Sequence, residues 1–285
     1  MEKTTVEITV IGKDHEGVVA GFTNFIFQRS GNIEKINQNV VKSLFGMYLE
    51  ASFTQKIDIK KFDNEINKLA KNLKMEVNTH HEAKLRKKIA VLVTKEPHCL
   101  EDILEARAKN ELKGEVGVII GTENTLSPLA KKSKIPFVTI DDKDQSQAEE
   151  EILDIIKRYD IDLIVLARYM RILSPNFVWR YPNRIINIHP SLLPAFPGAF
   201  AYVQAYERGA KIVGCTAHYV TEDLDQGPII FQDAFAIDAN ETVESLKKKG
   251  QKIEAKTLLE AVKMHLDGRL EVYWGKVHVK PKRSR

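Results

Sequence analysis

With 285 residues, 43% of them hydrophobic and 29% charged, the chain has the size and composition of one large or two ordinary globular domains, which sets aside the disordered, collagen-like and membrane classes. Lysine and arginine stand at 43 against 39 acidic residues, and part of that excess lies in the closing run KPKRSR, so the body is near neutral and carries no nucleic-acid footprint. Cys99 and Cys215 lie far apart with no CxxC pair, which argues against a disulfide framework and a structural zinc site and fits a reducing, cytoplasmic setting. The opening MEKTTVEITVIGKD has no signal-peptide stretch, and no apolar run reaches about 18 residues, so the expectation is a protein neither exported nor membrane-spanning.

In chain order, Val6, Ile8 and Val10 keep the period of a strand, and GKDHEG supplies a turn with glycine at both ends. A helix follows, with Val18, Phe22, Phe25 and Ile26 on one face, and Ser30-Gly31-Asn32 ends it where a left-handed residue is wanted. Strand patterns return over Ile33 to Val41 and Met47 to Phe53. KKFDNEINKLAKNL is then an amphipathic helix carrying Phe62, Ile66, Leu69 and Leu73. The order is βαββαβ, a ferredoxin-like unit ending near Val77. The polar stretch NTHHEAKLRKK sets a boundary around residues 80 to 87, which gives domains at 1–82 and 86–275 and a solvated basic tail at 276–285.

From Lys88 the pattern changes. IAVLV, VGVII and DLIVLA are short continuous apolar runs, as in parallel strands covered on both faces. Helical stretches CLEDILEARAKN, TLSPLAKKS and QAEEEILDIIKRY lie between them, so the second domain reads as doubly wound, mostly parallel α/β. Ligands of such sheets bind beyond the carboxyl ends of the strands, which singles out the segments after DLIVLA and after RIINI.

Asn187 and His189 lie two apart at the end of a strand from Arg184 to Ile188, so both side chains project to one side. A loop from Pro190 to Gly198 with three prolines leads to a helix at AYVQAYERG. Cys215 to Val220 is a further strand, and the acidic loop TEDLDQG can return Asp225 toward the first. An amide, an imidazole and a carboxylate then converge. Each residue type also has an ordinary structural use, as a turn, cap or core group. A metal reading of His189, His218 and Asp225 is the weaker one, since no His pair at i, i+4 and no cysteine supports it.

The stretches INIHPSLLPAFPGA, RGAKIVGCTAHYV and DLDQGPII, in this order, resemble the folate-dependent formyltransferase and formyl-hydrolase superfamily, with its Asn-x-His-x-Ser-x-Leu-Pro pattern followed by an Asp-x-Gly loop. LARYMRILSP resembles the segment of that superfamily whose backbone meets the pterin ring. GKDHEGVVAGFTNFIFQRSGNI resembles an ACT domain, an amino-acid-sensing module. An ACT-like unit ahead of such a domain, with PHCLEDIL after its first strand, is similar to the arrangement of formyltetrahydrofolate deformylases.

The resemblance implies hydrolysis of 10-formyltetrahydrofolate to tetrahydrofolate and formate, feeding one-carbon and purine metabolism, with the folate as substrate and no further cofactor. Asn187 would donate to the formyl oxygen, His189 act as general acid, and Asp225 hold the charged imidazole and orient water. Met170, Arg171, Ile172 and Leu173 would offer backbone groups to the pterin, with His98, His218 and Thr221 as further substrate contacts.

Two other readings stay open: transfer of the formyl group to an amine such as glycinamide ribonucleotide, and a non-catalytic folate or amino-acid sensor. The first strand-to-helix turn, VTKEPHCLEDIL, separates the first two. It has no glycine, Pro97 has no N–H, and Glu96 and Glu101 bring negative charge, so a ribonucleotide phosphate would be unfavourable there. On the other side, His189-Pro190-Ser191 has the transferase-like form, and Gly121-Thr122-Glu123 departs from the deformylase pattern. In the N-terminal unit, Asp14 and Gly17 precede a helix start whose N–H groups suit an amino-acid carboxylate, glycine or methionine by resemblance, although Asp14 would equally serve as a plain helix cap. Such units pair edge to edge, which implies a homo-oligomer.

Overall fold

The computed structural model describes residues 4–81, 87–196, 198, 200–238 and 240–281. Its chain separates into two compact units, residues 1–85 with 174–182, and residues 86–173 with 183–285. The expected boundary at 80–87 lies mostly outside the described residues.

The first unit runs β1 (Thr4–Lys13), α1 (Val18–Phe27), β2 (Gly31–Val41), β3 (Leu44–Phe53), α2 (Ile59–Asn72) and β4 (Met75–His81). Its four strands lie antiparallel in the order β2-β3-β1-β4. Alternation along β1 sends Val6, Ile8 and Val10 to one face, where they meet Phe22, Ile26, Phe62 and Ile66 from the two helices. Asp58 caps α2 by accepting from the Lys61 N–H at 3.1 Å.

Two details correct the sequence reading and one bears it out. The unit continues to His81, because β4 pairs with β1 as far as Val6 opposite His81. The stop expected at Ser30-Gly31-Asn32 is present: its left-handed residue is Ser30 (φ 55), while Gly31 already begins β2 and a Cβ there would lie 2.6 Å from Phe53. Asp14 is not the cap of α1: Gly17 is, at φ 86, which glycine adopts without cost, and no side chain caps the helix.

The second unit holds β5 (Lys87–Val93), α3 (His98–Ala108), β6 (Gly114–Gly121), α4 (Ser127–Lys132), β7 (Phe137–Thr139), α5 (Gln145–Tyr159) and β8 (Leu163–Ala167). The short α6 (Pro175–Val178) falls in the segment that groups with the first unit, where Trp179 lies against Gly46. The second unit resumes with β9 (Ile185–His189), α7 (Ala201–Glu207), β10 (Ile212–Tyr219), β11 (Ile229–Ala236), α8 (Val243–Leu266), β12 (Leu270–Tyr273) and β13 (Lys276–Val279).

Its seven-stranded sheet has the order β11-β10-β9-β8-β5-β6-β7, parallel from β9 to β7 and antiparallel at β10 and β11. Buried Asp162 fixes the β8–β5 register, accepting from the Lys88 N–H at 2.8 Å while its own N–H donates to the Lys88 carbonyl. Helices α3 and α8 cover one face, against Ile89, Val91, Val165, Ile186, Ile188, Cys215 and Ala217.

Residues 276–279 are a strand rather than a tail. Val277 packs on the core while Lys276 and Lys280 point outward, and β12 and β13 close through Trp274 and Gly275, both at positive φ. Residues 282–285 of the expected tail lie outside the described residues.

Candidate active site

On β9, Ile186 and Ile188 face the α3–α8 core, so Asn187 and His189 face the other way, and β10 sets His218 beside Asn187 and Thr216 beside His189. Asp225 arrives from the loop between β10 and β11. His189 Nδ1 lies 3.3 Å from Asp225 Oδ2, and His189 Nε2 lies 3.1 Å from the Phe196 carbonyl oxygen. Both neighbours are hydrogen-bond acceptors, so each ring nitrogen has a place for a proton.

Burial pushes the Asp225 carboxyl up. The hydrogen bonds from His189 and from the Gly198 N–H at 2.9 Å, with the two imidazoles nearby, outweigh that and hold it below its ordinary value. His218 moves the other way: burial lowers it, against the raising pull of the Tyr219 carbonyl and Asp225. The neutral ring donates from Nδ1 to the Tyr219 oxygen at 2.9 Å, so its Nε2 accepts from Asn187 Nδ2 at 3.3 Å. This contact orients the Asn187 amide and leaves its second N–H to meet a ligand.

The loop geometry explains why these residue types stand here. Asp225 sits at φ 57, a left-handed conformation that aspartate tolerates better than branched residues. A Cβ on Gly227 would lie 1.7 Å from the Tyr219 oxygen, so only glycine lets the loop pass the end of β10. Thr216, fully buried, anchors the segment after β9. Its hydroxyl donates to the Ser191 carbonyl at 2.7 Å and accepts from the Leu193 N–H at 3.0 Å and from Gln232 Nε2 at 2.8 Å.

The other candidates fall in several places. The Met170 N–H donates to Thr94 Oγ1 at 3.2 Å, and the Ile172 carbonyl accepts from Gln145 Nε2 at 2.9 Å, so side chains hold this irregular segment after β8. Met170 and Ile172 are exposed, Leu173 is buried, and Arg171 pairs with Asp142. The Thr221 hydroxyl donates to the Asp223 carbonyl within its own loop.

His98, at the start of α3, has Glu254 and Glu96 as its partners rather than the trio, with Nε2 3.1 Å from Glu254 Oε2. In the first unit, the Asp14 N–H donates to the Ser43 carbonyl, and His15 Nε2 reaches the Leu73 carbonyl at 2.7 Å.

Sequence reasoning missed Glu254, Arg168 and Tyr202. The signal available was a glutamate at a helical position whose neighbours Leu246, Leu258 and Ala261 are apolar. Among the described residues, His98, Cys99 and Glu254 offer three ligand atoms within 4.8 Å of one another. Arg168 Nε, 3.7 Å from Glu254 Oε2, already supplies the positive charge there, and burial pushes the Cys99 thiol far up, away from the thiolate a metal needs.

The formyl transferase family profile matches residues 87–262. Formyltetrahydrofolate deformylase of Bacillus subtilis (strain 168) is 38% identical over 272 residues, covering 93% of this chain and 90% of that protein. The crystal structure of a formyltetrahydrofolate deformylase from Pseudomonas syringae pv. tomato superposes with a TM-score of 0.67 at 31% identity, over 99% of this chain and 95% of that one. Glycinamide ribonucleotide transformylase 1 from Symbiobacterium toebii gives the same TM-score at 32% identity, but over 72% of this chain and 98% of its own. The chain therefore belongs to the formyl transferase family and, within it, to the formyltetrahydrofolate deformylases.

Proposed function

We propose that the chain hydrolyses 10-formyltetrahydrofolate to tetrahydrofolate and formate. The observation that favours hydrolysis over transfer is the reach of the similarity: the Bacillus subtilis and Pseudomonas syringae deformylases match at 93% and 99% of this chain, the transformylase structure at 72%. In this reading the second Asn187 N–H donates to the formyl oxygen as it gains negative charge. Water attacks the formyl carbon and gives a proton to Asp225, which its hydrogen bonds keep ionised. His189 gives a proton to N10, the C–N10 bond breaks to leave the free amine and formic acid, the acid ionises to formate by losing its proton to solvent, and the proton on Asp225 passes back to His189 to restore the site. His218 positions the Asn187 amide, and the backbone of residues 170–173 reads the pterin edge. Slowed hydrogen exchange in that segment on adding folate supports the placement, and unchanged exchange counts against it.

The β1–α1 loop, with Asp14 and Gly17, is the amino-acid site of an ACT-like regulatory unit. Its support is the uncapped N-terminus of α1 and the βαββαβ order. Calorimetric titration with glycine and with methionine tests it, and absence of binding by either removes the assignment. The site of action is the cytoplasm, and the assembly is a homo-oligomer. No described helix is long and apolar enough to cross a membrane.

The test of the activity is incubation with 10-formyltetrahydrofolate, with and without glycinamide ribonucleotide. Formate released at the same rate in both supports hydrolysis. Formylated ribonucleotide in place of formate overturns it in favour of transfer, and neither product favours the sensor.

A further inference from the structure

In the second unit the strand order changes direction at β5: β6 and β7 continue to one side, β8 and β9 to the other. Strands β5 and β8 run in register, with Val93 opposite Ala167, so the residues after them emerge side by side. Sheets of this kind hold a ligand in the crevice that opens at such a point. Here the chain fills it with its own polar and charged side chains: Glu96 from the turn after β5, His98 from α3, Arg168 directly after β8, and Glu254 from α8.

Arg168 Nε donates to Glu96 Oε2 at 3.1 Å and lies 3.7 Å from Glu254 Oε2. Glu254 also takes the Tyr202 hydroxyl at 2.9 Å and His98 Nε2 at 3.1 Å. Glu96 accepts from Gln251 Nε2 at 3.4 Å, and Lys247 Nζ lies 3.6 Å from its other oxygen. The side chains of Glu254, Arg168, His98 and Glu96 are 2%, 14%, 15% and 20% exposed, so Glu96 is the most solvent-facing of the four.

We propose that this network determines the formyl acceptor: it occupies the place that an anionic second substrate, such as a phosphorylated amine, would take, and so leaves the reaction to water. The inference rests on the hydrolytic reading above. An anion entering the crevice meets the Glu96 carboxylate first. Arg168 and Lys247, the cations that would attract it, are already paired with that carboxylate. Pro97 brings no N–H to the start of α3, and Glu101 stands in its first turn.

The network therefore excludes an anion by charge and by occupancy together. Glu96→Gln removes the charge, keeps the shape, releases Lys247, and leaves Arg168 paired with Glu254 alone.

The test reads phosphate binding to the full chain, by phosphorus-31 relaxation and calorimetry with inorganic phosphate as the probe. Wild type is expected to show no saturable binding. Glu96→Gln is expected to bind saturably, at least about tenfold tighter than the weakest affinity the wild-type titration would detect, as follows when one like charge is removed at contact distance. Glu96→Ala, which vacates the position, should shift the same way, and Glu96→Gln combined with Arg168→Met should lose the gain. Wild type binding phosphate as tightly as Glu96→Gln overturns the proposal. So does a folded Glu96→Gln or Glu96→Ala protein that binds no tighter than wild type. These measurements involve no turnover, so their outcome is separable from failure of the hydrolytic reading, which shows in the formate assay.

Discussion

The Asp225 carboxylate is held by one imidazole, one backbone N–H and a second imidazole at 3.9 Å, and these contacts outweigh its burial. Asp225→Asn keeps the size of the side chain and removes its charge, so in the proposed mechanism water loses its base. Turnover is expected to fall about 10²- to 10⁴-fold with folate affinity little changed, measured as kcat and as folate Kd by fluorescence titration; turnover near the wild-type level would reduce Asp225 to a turn residue.

His218 carries a different consequence. Burial holds its folded imidazole below the unfolded value of 6.5, so unfolding takes up a proton once the pH falls below that value. The stability contributed by the neutral ring is complete above pH 6.5 and is lost as the pH falls toward the folded value. Urea midpoints measured at about pH 7.5 and about pH 5.5 should therefore drop more for wild type than for His218→Gln. Equal drops would mean that His218 takes no part in the acid sensitivity.

At the scale of elements, the candidate site residues depend on two chain passages. One is the Thr216-anchored segment after β9, and the other is the Asp225 loop that squeezes past Tyr219 at Gly227. Gly227→Ala forces that loop off β10 and is expected to cost about 1–3 kcal/mol of stability and to lower turnover by withdrawing Asp225. Unfolding and kinetic measurements check both, and a variant unchanged in both would show that the loop has room.

The central strands were legible because β5, β6 and β8 are covered on both faces and read as unbroken apolar runs. The Asn187–His189 pair was legible because the two-residue period of a strand sets the shared side. Helix α8 was not, since its stretch KKKGQKIEAK is mostly charged, and buried Glu254 is explained by Arg168, His98 and Tyr202, all distant in sequence. The hairpin of β12 and β13 was hidden in the same way, its valines alternating with the lysines that suggested a tail.

At the scale of the molecule, the outer strand of the first unit is the feature that points beyond one chain. Among the described residues β2 pairs only with β3; it runs for 11 residues and exposes Ile36, Val40 and Val41. A long edge strand with exposed apolar residues is a template for pairing with another chain. For the homo-oligomer proposed above, Val40→Lys is therefore expected to shift sedimentation toward the monomer; an unchanged assembly would place the subunit contact elsewhere, and a wild type that already sediments as a monomer would remove the assembly.

The account as a whole turns on water as the formyl acceptor, and isotope labelling reads that directly. Turnover of 10-formyltetrahydrofolate in oxygen-18 water should yield formate carrying one labelled oxygen, formed far faster than without enzyme and at a strongly reduced rate by Asp225→Asn. Formate that carries no label, or that forms no faster than in the enzyme-free control, would contradict it.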